Sequence, residues 1–117
     1  MTQYAALLYT PDVDWSAPEH AGWLPQYNPF SQEAAAHIRG AKALAPTSTA
    51  TVIRVIGARE GEVVVSDGPY AETKEVLTGF YILDCADLDE AIALAAKIPS
   101  AWHGAVEVRP IILFGNE

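Results

Sequence analysis

Cysteine occurs once in this 117-residue chain, as Cys85. One thiol excludes an internal disulfide framework and any zinc cluster built on several thiolates. Its place at the end of an apolar stretch reads as an inert structural thiol. Basic residues are scarce: 7 Lys and Arg stand against 15 Asp and Glu, for a net charge of −8. No segment gathers the cations, so direct nucleic-acid binding is not expected. No apolar run approaches the roughly 18 residues of a membrane span. The start, MTQYAALLYT, has neither the basic beginning nor the small-residue cleavage site of a leader, so a cytoplasmic protein is expected. Dinucleotide, phosphate-loop and GxSxG fingerprints are all missing, which argues against Rossmann, kinase and α/β-hydrolase readings. His20, His37 and His103 form no HxH or HxxxH pair, and neither a metal nor a cofactor is expected.

What is present has the length of one domain, residues 1–117. Gln3 to Tyr9 (QYAALLY) reads as a buried strand. The stretch from Pro11 to Pro29 holds four prolines, which break any long regular element. Asn28-Pro29 then starts a helix, with Phe30, Ala34, His37 and Ile38 at helical spacing and Gly40 as its stop. TATVIRVI (Thr49 to Ile56) and EVVVS (Glu62 to Ser66) form a hairpin around Gly57 to Gly61. TGFYILDC (Thr78 to Cys85) is another strand. Asp87 and Glu90 have capping-box spacing, opening a helix whose core face is Leu88, Ala91, Ile92, Ala95 and Ile98. AVEVRPIIL (Ala105 to Leu113) closes the chain as a strand. The order predicts a ferredoxin-like α+β fold, βαββαβ, with helices on one sheet face. Val, Ile, Phe and Tyr on both sides of the sheet call for a partner on the open face, and a second copy is the simplest: a homodimer is expected.

The segment DGPYAETKEVLTGF, Asp67 to Phe80, places two Glu, an Asp and a Lys beside an apolar strand. Asp67-Gly68-Pro69 is explained by a turn that ends the preceding strand, and the charges after it by a solvated loop. The alternative folds this loop over a pocket between sheet and helices, where Asp67 and Lys74 supply acid-base groups with Glu72 or Glu75. His103, in the connection to the last strand, is the histidine best placed for catalysis. His37 reads as a core or dimer-facing residue. Trp15, Trp23, Tyr27 and Phe30 either wall a pocket for a planar ligand or staple the Pro-rich segment to the body. Arg54 and Arg109 lie within strands, where each requires an acidic partner or a ligand anion.

DGPYAETKEVLTGFYIL, DLDEAIALAAKIP and GAVEVRPI, in that order and with TATVIRV before them, resemble the YCII-related family, in its branch named for an Asp-Gly-Pro-Phe motif. Tyr70 stands where that motif has Phe. The resemblance covers Leu44 to Ile112 closely. It implies a dimeric α/β barrel of two ferredoxin-like subunits packed sheet against sheet. It also implies kinship with cofactor-independent monooxygenases, isomerases and decarboxylases, and with an enzyme of chlorinated-aromatic breakdown. Some family members carry a sigma-factor-associated label. Some are proposed to use a His-Asp pair, which is not carried over to any position here. The expected function is therefore small-molecule binding: a cofactor-free lyase, isomerase or oxygenase acting on a compact aromatic or polyketide-like substrate. His103, Asp67 and Lys74 would be its acid-base groups, Arg54 or Arg109 its anion clamp, and Trp15, Trp23, Tyr27 and Tyr70 its walls. The alternative is a non-catalytic regulatory or binding protein beside a transcription (sigma) factor.

Overall fold

Strict alternation of side chains organises the main sheet. In the computed structural model, which describes residues 1–115, strand β1 (Thr2–Thr10) buries Tyr4, Ala6, Leu8 and Thr10 and turns Ala5, Leu7 and Tyr9 to the opposite face, as a period of 2 requires. Short 3-10 turns carry the chain to helix α1 (Asn28–Glu33), which has Pro29 in its first turn. There the missing N–H has no helical partner to lose. Strand β2 (Ile38–Ala43), the hairpin of β3 (Thr51–Ile56) and β4 (Glu62–Asp67), and strand β5 (Val76–Cys85) follow. Helices α2 (Leu88–Ala95) and α3 (Ser100–His103) and strand β6 (Ala105–Pro110) complete the chain.

The main sheet is ordered β2-β5-β1-β6 with every neighbour antiparallel. That is a ferredoxin-like α+β fold. Its second strand, however, is β2, in a segment expected to end a helix. Phe30 and Ala34 are buried as the helical spacing requires, but the helix stops at Ala34. His37 lies in the following turn, where its carbonyl accepts a hydrogen bond from the Asp84 N–H at 2.8 Å. Gly40 sits inside the strand opposite Ile82. Pairing with the edge of β5 overrides local periodicity here. The hairpin, expected to supply sheet strands, pairs only with itself.

The helices cover one face of the sheet. Tyr4, Ala6, Leu8, Tyr81, Leu83 and Cys85 meet Phe30, Ala34, Ala91, Leu94, Ala95 and Ile98 in one buried cluster. Asp87 caps α2 by accepting from Glu90 N–H at 2.9 Å, while Glu90 Oε1 accepts from Ala86 N–H at 2.9 Å, a capping box displaced by one residue. The rotation of α2 differs from the expected one: Leu94 is buried, whereas Leu88 and Ile92 are exposed along a groove beside Val106 and Val108. Among the described residues no helix or second sheet layer covers the other sheet face, which carries Ala5, Leu7, Phe80 and Ile82. The radius of gyration is 16.4 Å, against about 13 Å expected for a chain of this length. The hairpin accounts for the difference, because β3 and β4 contact chiefly each other. Among the described residues no helix is long and apolar enough to cross a membrane.

Two core phenols make stability sensitive to alkali. Burial pushes the Tyr27 and Tyr81 hydroxyls above the ordinary tyrosine value. Below about pH 10 both are neutral in folded and unfolded chain alike; above it the unfolded chain sheds its protons first, so stability falls as pH rises. Melting followed from about pH 8 to 11 should drop steeply above about pH 10 in the wild type and less steeply in Tyr27→Phe/Tyr81→Phe. Equal slopes would contradict this assignment.

Candidate functional site

A large concavity is built by the residues on either side of the hairpin's base. A pocket of about 600 Å³ is lined by Tyr9 of β1, the link from Leu44 to Ala50, and the run from Pro69 through Tyr70 and Glu75 to Leu77. This volume suits a compact ligand. The walls are largely apolar, and the polar lining residues are Tyr9, whose hydroxyl donates to Glu107 Oε1 at 3.5 Å, Tyr70, the threonines and Glu75. The pocket lies at the end of the open sheet face, not between sheet and helices as expected. Tyr9 and Leu77, which face each other across β1 and β5, both belong to that open face.

Local chemistry fixes each wall. The hairpin is clamped at its base by Gly68 N–H donating to the Ala50 carbonyl at 2.8 Å. Gly68 has φ 98°, a left-handed conformation that needs glycine in this turn. The Leu44–Ala50 link is held by Asp12, whose carboxylate accepts from Thr47 N–H at 3.2 Å and from the Thr47 hydroxyl. At the floor, the β1–β5 register shifts between Leu8 and Tyr9, leaving Thr78 as an extra residue. Such bulges re-aim the chain beside them. The Thr78 carbonyl accepts from Leu44 N–H at 3.0 Å and from Trp15 Nε1–H at 3.1 Å. Glu75 is seated against glycine: a Cβ on Gly104 would stand 2.7 Å from Glu75 Oε2 and 2.0 Å from the Tyr9 carbonyl oxygen.

The residues expected to act together fall into separate groups. Tyr70 lines the pocket, with the Arg54 guanidinium over its ring at 5.2 Å, a cation–π contact. Asp67 is the last residue of β4, exposed and paired across the hairpin with Thr51. Lys74 is exposed on the loop and is not among the lining residues. Arg109 sits on the open sheet face opposite Ala5 and does not line the pocket. The aromatic group is elsewhere. Trp15 contacts Trp23 and Tyr27 edge-on at 6.4 and 5.5 Å, and Trp23 stacks on His103 at 5.0 Å. His103 Nε2 meets Gln26 Oε1 at 3.2 Å, and the Tyr27 hydroxyl bonds buried Ser100 Oγ at 2.6 Å. These contacts bind the Pro-rich segment to α3. A hollow there, lined by Trp15, Tyr27 and β-strand residues, measures about 180 Å³, below the usual range for ligand sites.

Tyr9 and the Leu44–Ala50 link were not singled out from sequence. The outward position of Tyr9 in the alternation of β1 was the available signal; nothing local marks the link.

A ferredoxin-like domain with an apolar pocket at the end of an uncovered sheet face is thus the class of protein this chain forms. The model of the YCII-related domain matches residues 8–115, and the chain belongs to the YCII-related family. Over 73 residues, 61% of this chain, it is 48% identical to an uncharacterized protein of Rhizobium meliloti (strain 1021). That match spans 56% of the relative's length.

Proposed function

We propose that this chain is a small-molecule-binding protein whose ligand, a compact aromatic or polyketide-like molecule, occupies the pocket between Tyr9, Thr47, Tyr70 and Glu75. The observation that carries this reading is the pairing of apolar walls with a few convergent polar groups in a volume of about 600 Å³. Glu75 is the proposed acid-base group, since it is the charged side chain lining the pocket and a carboxylate against an apolar ligand is a competent proton acceptor. The expected roles of His103, Asp67 and Lys74 give way to Glu75 in this proposal, because none of the three lines the pocket. Arg54 supports the site through Tyr70.

The proposal includes a homodimer. Tyr70 is exposed at the pocket's rim, and the adjoining open face and hairpin present further apolar side chains to solvent. Monomers seldom leave such patches bare. A second copy over the open face would close the pocket and exclude water from Glu75.

The reading is tested with 2-naphthol as a neutral planar probe, followed by amide chemical shifts. Saturable shifts should cluster at Tyr9, Thr47, Tyr70 and Leu77, and Tyr70→Ala should weaken binding by about 3- to 10-fold. For any substrate turned over, Glu75→Gln should cut the rate by about 100- to 10,000-fold while leaving probe binding intact. Shifts confined to Leu8, Tyr27 and Ala41, or none that saturate, would overturn the assignment of the pocket.

A further inference from the structure

At the opposite end of the sheet, three elements bring together a donor set that neither the pocket nor the fold employs as chemistry. Cys85 ends β5, His37 precedes β2, and Glu90 lies in the first turn of α2. One ligand atom from each, an imidazole nitrogen, the thiol sulfur and a carboxylate oxygen, lies within 4.8 Å of the other two. Cys85 is fully buried; His37 and Glu90 are partly exposed and lie on the solvent side. From these positions we infer that His37, Cys85 and Glu90 form a binding site for a divalent transition-metal ion of the zinc class.

The chemistry of the donors supports the choice of metal. Thiolate, imidazole and carboxylate are the set that zinc takes at about 2.0–2.3 Å, which places neighbouring ligand atoms of a tetrahedron about 3.3–3.8 Å apart. The His37 imidazole and the Glu90 carboxylate already adjoin, with Nδ1 3.6 Å from Oε1. Supporting contacts are also in place. His37 Nδ1–H donates to the Asp84 carbonyl at 2.8 Å, leaving the free lone pair on Nε2. Backbone-held imidazoles of this kind are the usual metal ligands. The Ala86 N–H holds Glu90 Oε1 at 2.9 Å. Binding proceeds with loss of the Cys85 proton: the S–H bond breaks, an S–metal bond forms, and the proton passes to solvent. Thiolate and carboxylate together then balance the two charges of the ion, and water completes the coordination. Zinc, cobalt and related ions share this donor preference, whereas calcium and magnesium do not.

The capping box alone accounts for the placement of Glu90, so the decisive observable is the thiolate. Full-length protein without a polyhistidine tag, stripped with a chelator, is titrated with Co²⁺ and then Zn²⁺. The expected result is one Co²⁺ per chain with a thiolate-to-cobalt charge-transfer band in the near ultraviolet, abolished by stoichiometric Zn²⁺. His37→Ala and Cys85→Ser should each weaken Co²⁺ binding by more than the roughly 10- to 100-fold that loss of an outer partner costs. Glu90→Gln keeps an acceptor for Ala86 N–H and so preserves the helix cap, guarding against a merely unfolded variant; it too should weaken binding. A wild-type titration without the charge-transfer band, or Glu90→Gln and Cys85→Ser binding Co²⁺ as the wild type does, overturns the site.

Discussion

Gly104→Ala is expected to destabilise the fold by about 3 kcal/mol or more and to dislodge Glu75 from the pocket at the same time. At Gly104 φ is −161°, outside the left-handed region, and the argument rests on space. Its would-be Cβ lies 2.0 Å from the Tyr9 carbonyl oxygen and 3.0 Å from Thr10 Cα, both backbone atoms at the point where β6 joins β1. A flexible side chain could step aside; a strand cannot without breaking the pairing of Tyr9 with Ala105. The third neighbour, Glu75 Oε2 at 2.7 Å, would be pushed toward solvent. Denaturant unfolding measures the first effect, and the shift that saturating 2-naphthol induces in the Glu75 side-chain carboxyl resonance, at low temperature, the second. If Gly104→Ala melts with the wild type, the close approach of β6 to β1 described here is wrong. If it is destabilised but the probe still shifts the Glu75 carboxyl resonance as it does in the wild type, the seating of Glu75 by this glycine is wrong.

That linkage between a strand junction and a carboxylate is invisible in the sequence, and it illustrates where local reading stops. β1, β3, β4 and β5 were legible because alternation and β-branched runs are local signals. The capping box at Asp87 and Glu90 was legible for the same reason. Strand β2, IRGAKA, carries no such pattern: it is largely exposed, holds a glycine, and is a strand because β5 offers it hydrogen bonds. Mistaking it for the end of a helix placed His37 on a helical stripe, when the residue instead sits in a turn beside Cys85 and Glu90. The DGPY turn was readable down to the positive φ of Gly68. What the turn faces was not, because the Leu44–Ala50 link and Tyr9 reach it from distant parts of the chain. The aromatic residues of the Pro-rich segment signalled packing and ligand binding equally well. Their edge-on contacts, and the stacking of Trp23 on His103, make them a staple.

Replacing Ile53 and Val65 by Asp should abolish self-association while leaving the folded monomer intact. The two face each other across the hairpin, as do Val55 and Val63, and all four lie on one face. Their exposures are 64, 60, 47 and 62%, so in the isolated chain they contribute little to folding. Substitutions at such sites usually change stability by within about 0.5 kcal/mol. In the proposed dimer each substitution counts twice. Four side chains at about 1.5 kcal/mol or more of lost burial give about 6 kcal/mol, or roughly a 10,000-fold weaker dimer, before the cost of burying carboxylates is added. Sedimentation equilibrium should show wild-type dimer and variant monomer with the same far-ultraviolet circular dichroism. Leu7→Asp, on the open face of β1, separates the contributions: it should also yield monomer if hairpin and sheet belong to one interface. A wild type that is monomeric at every concentration would remove the second copy from the proposal and direct the apolar hairpin toward a different protein. A dimer that survives Ile53→Asp/Val65→Asp but not Leu7→Asp would confine the interface to the sheet. The pocket would then have to be closed by the sheet of the second copy alone, and the hairpin would have no part in shielding Glu75.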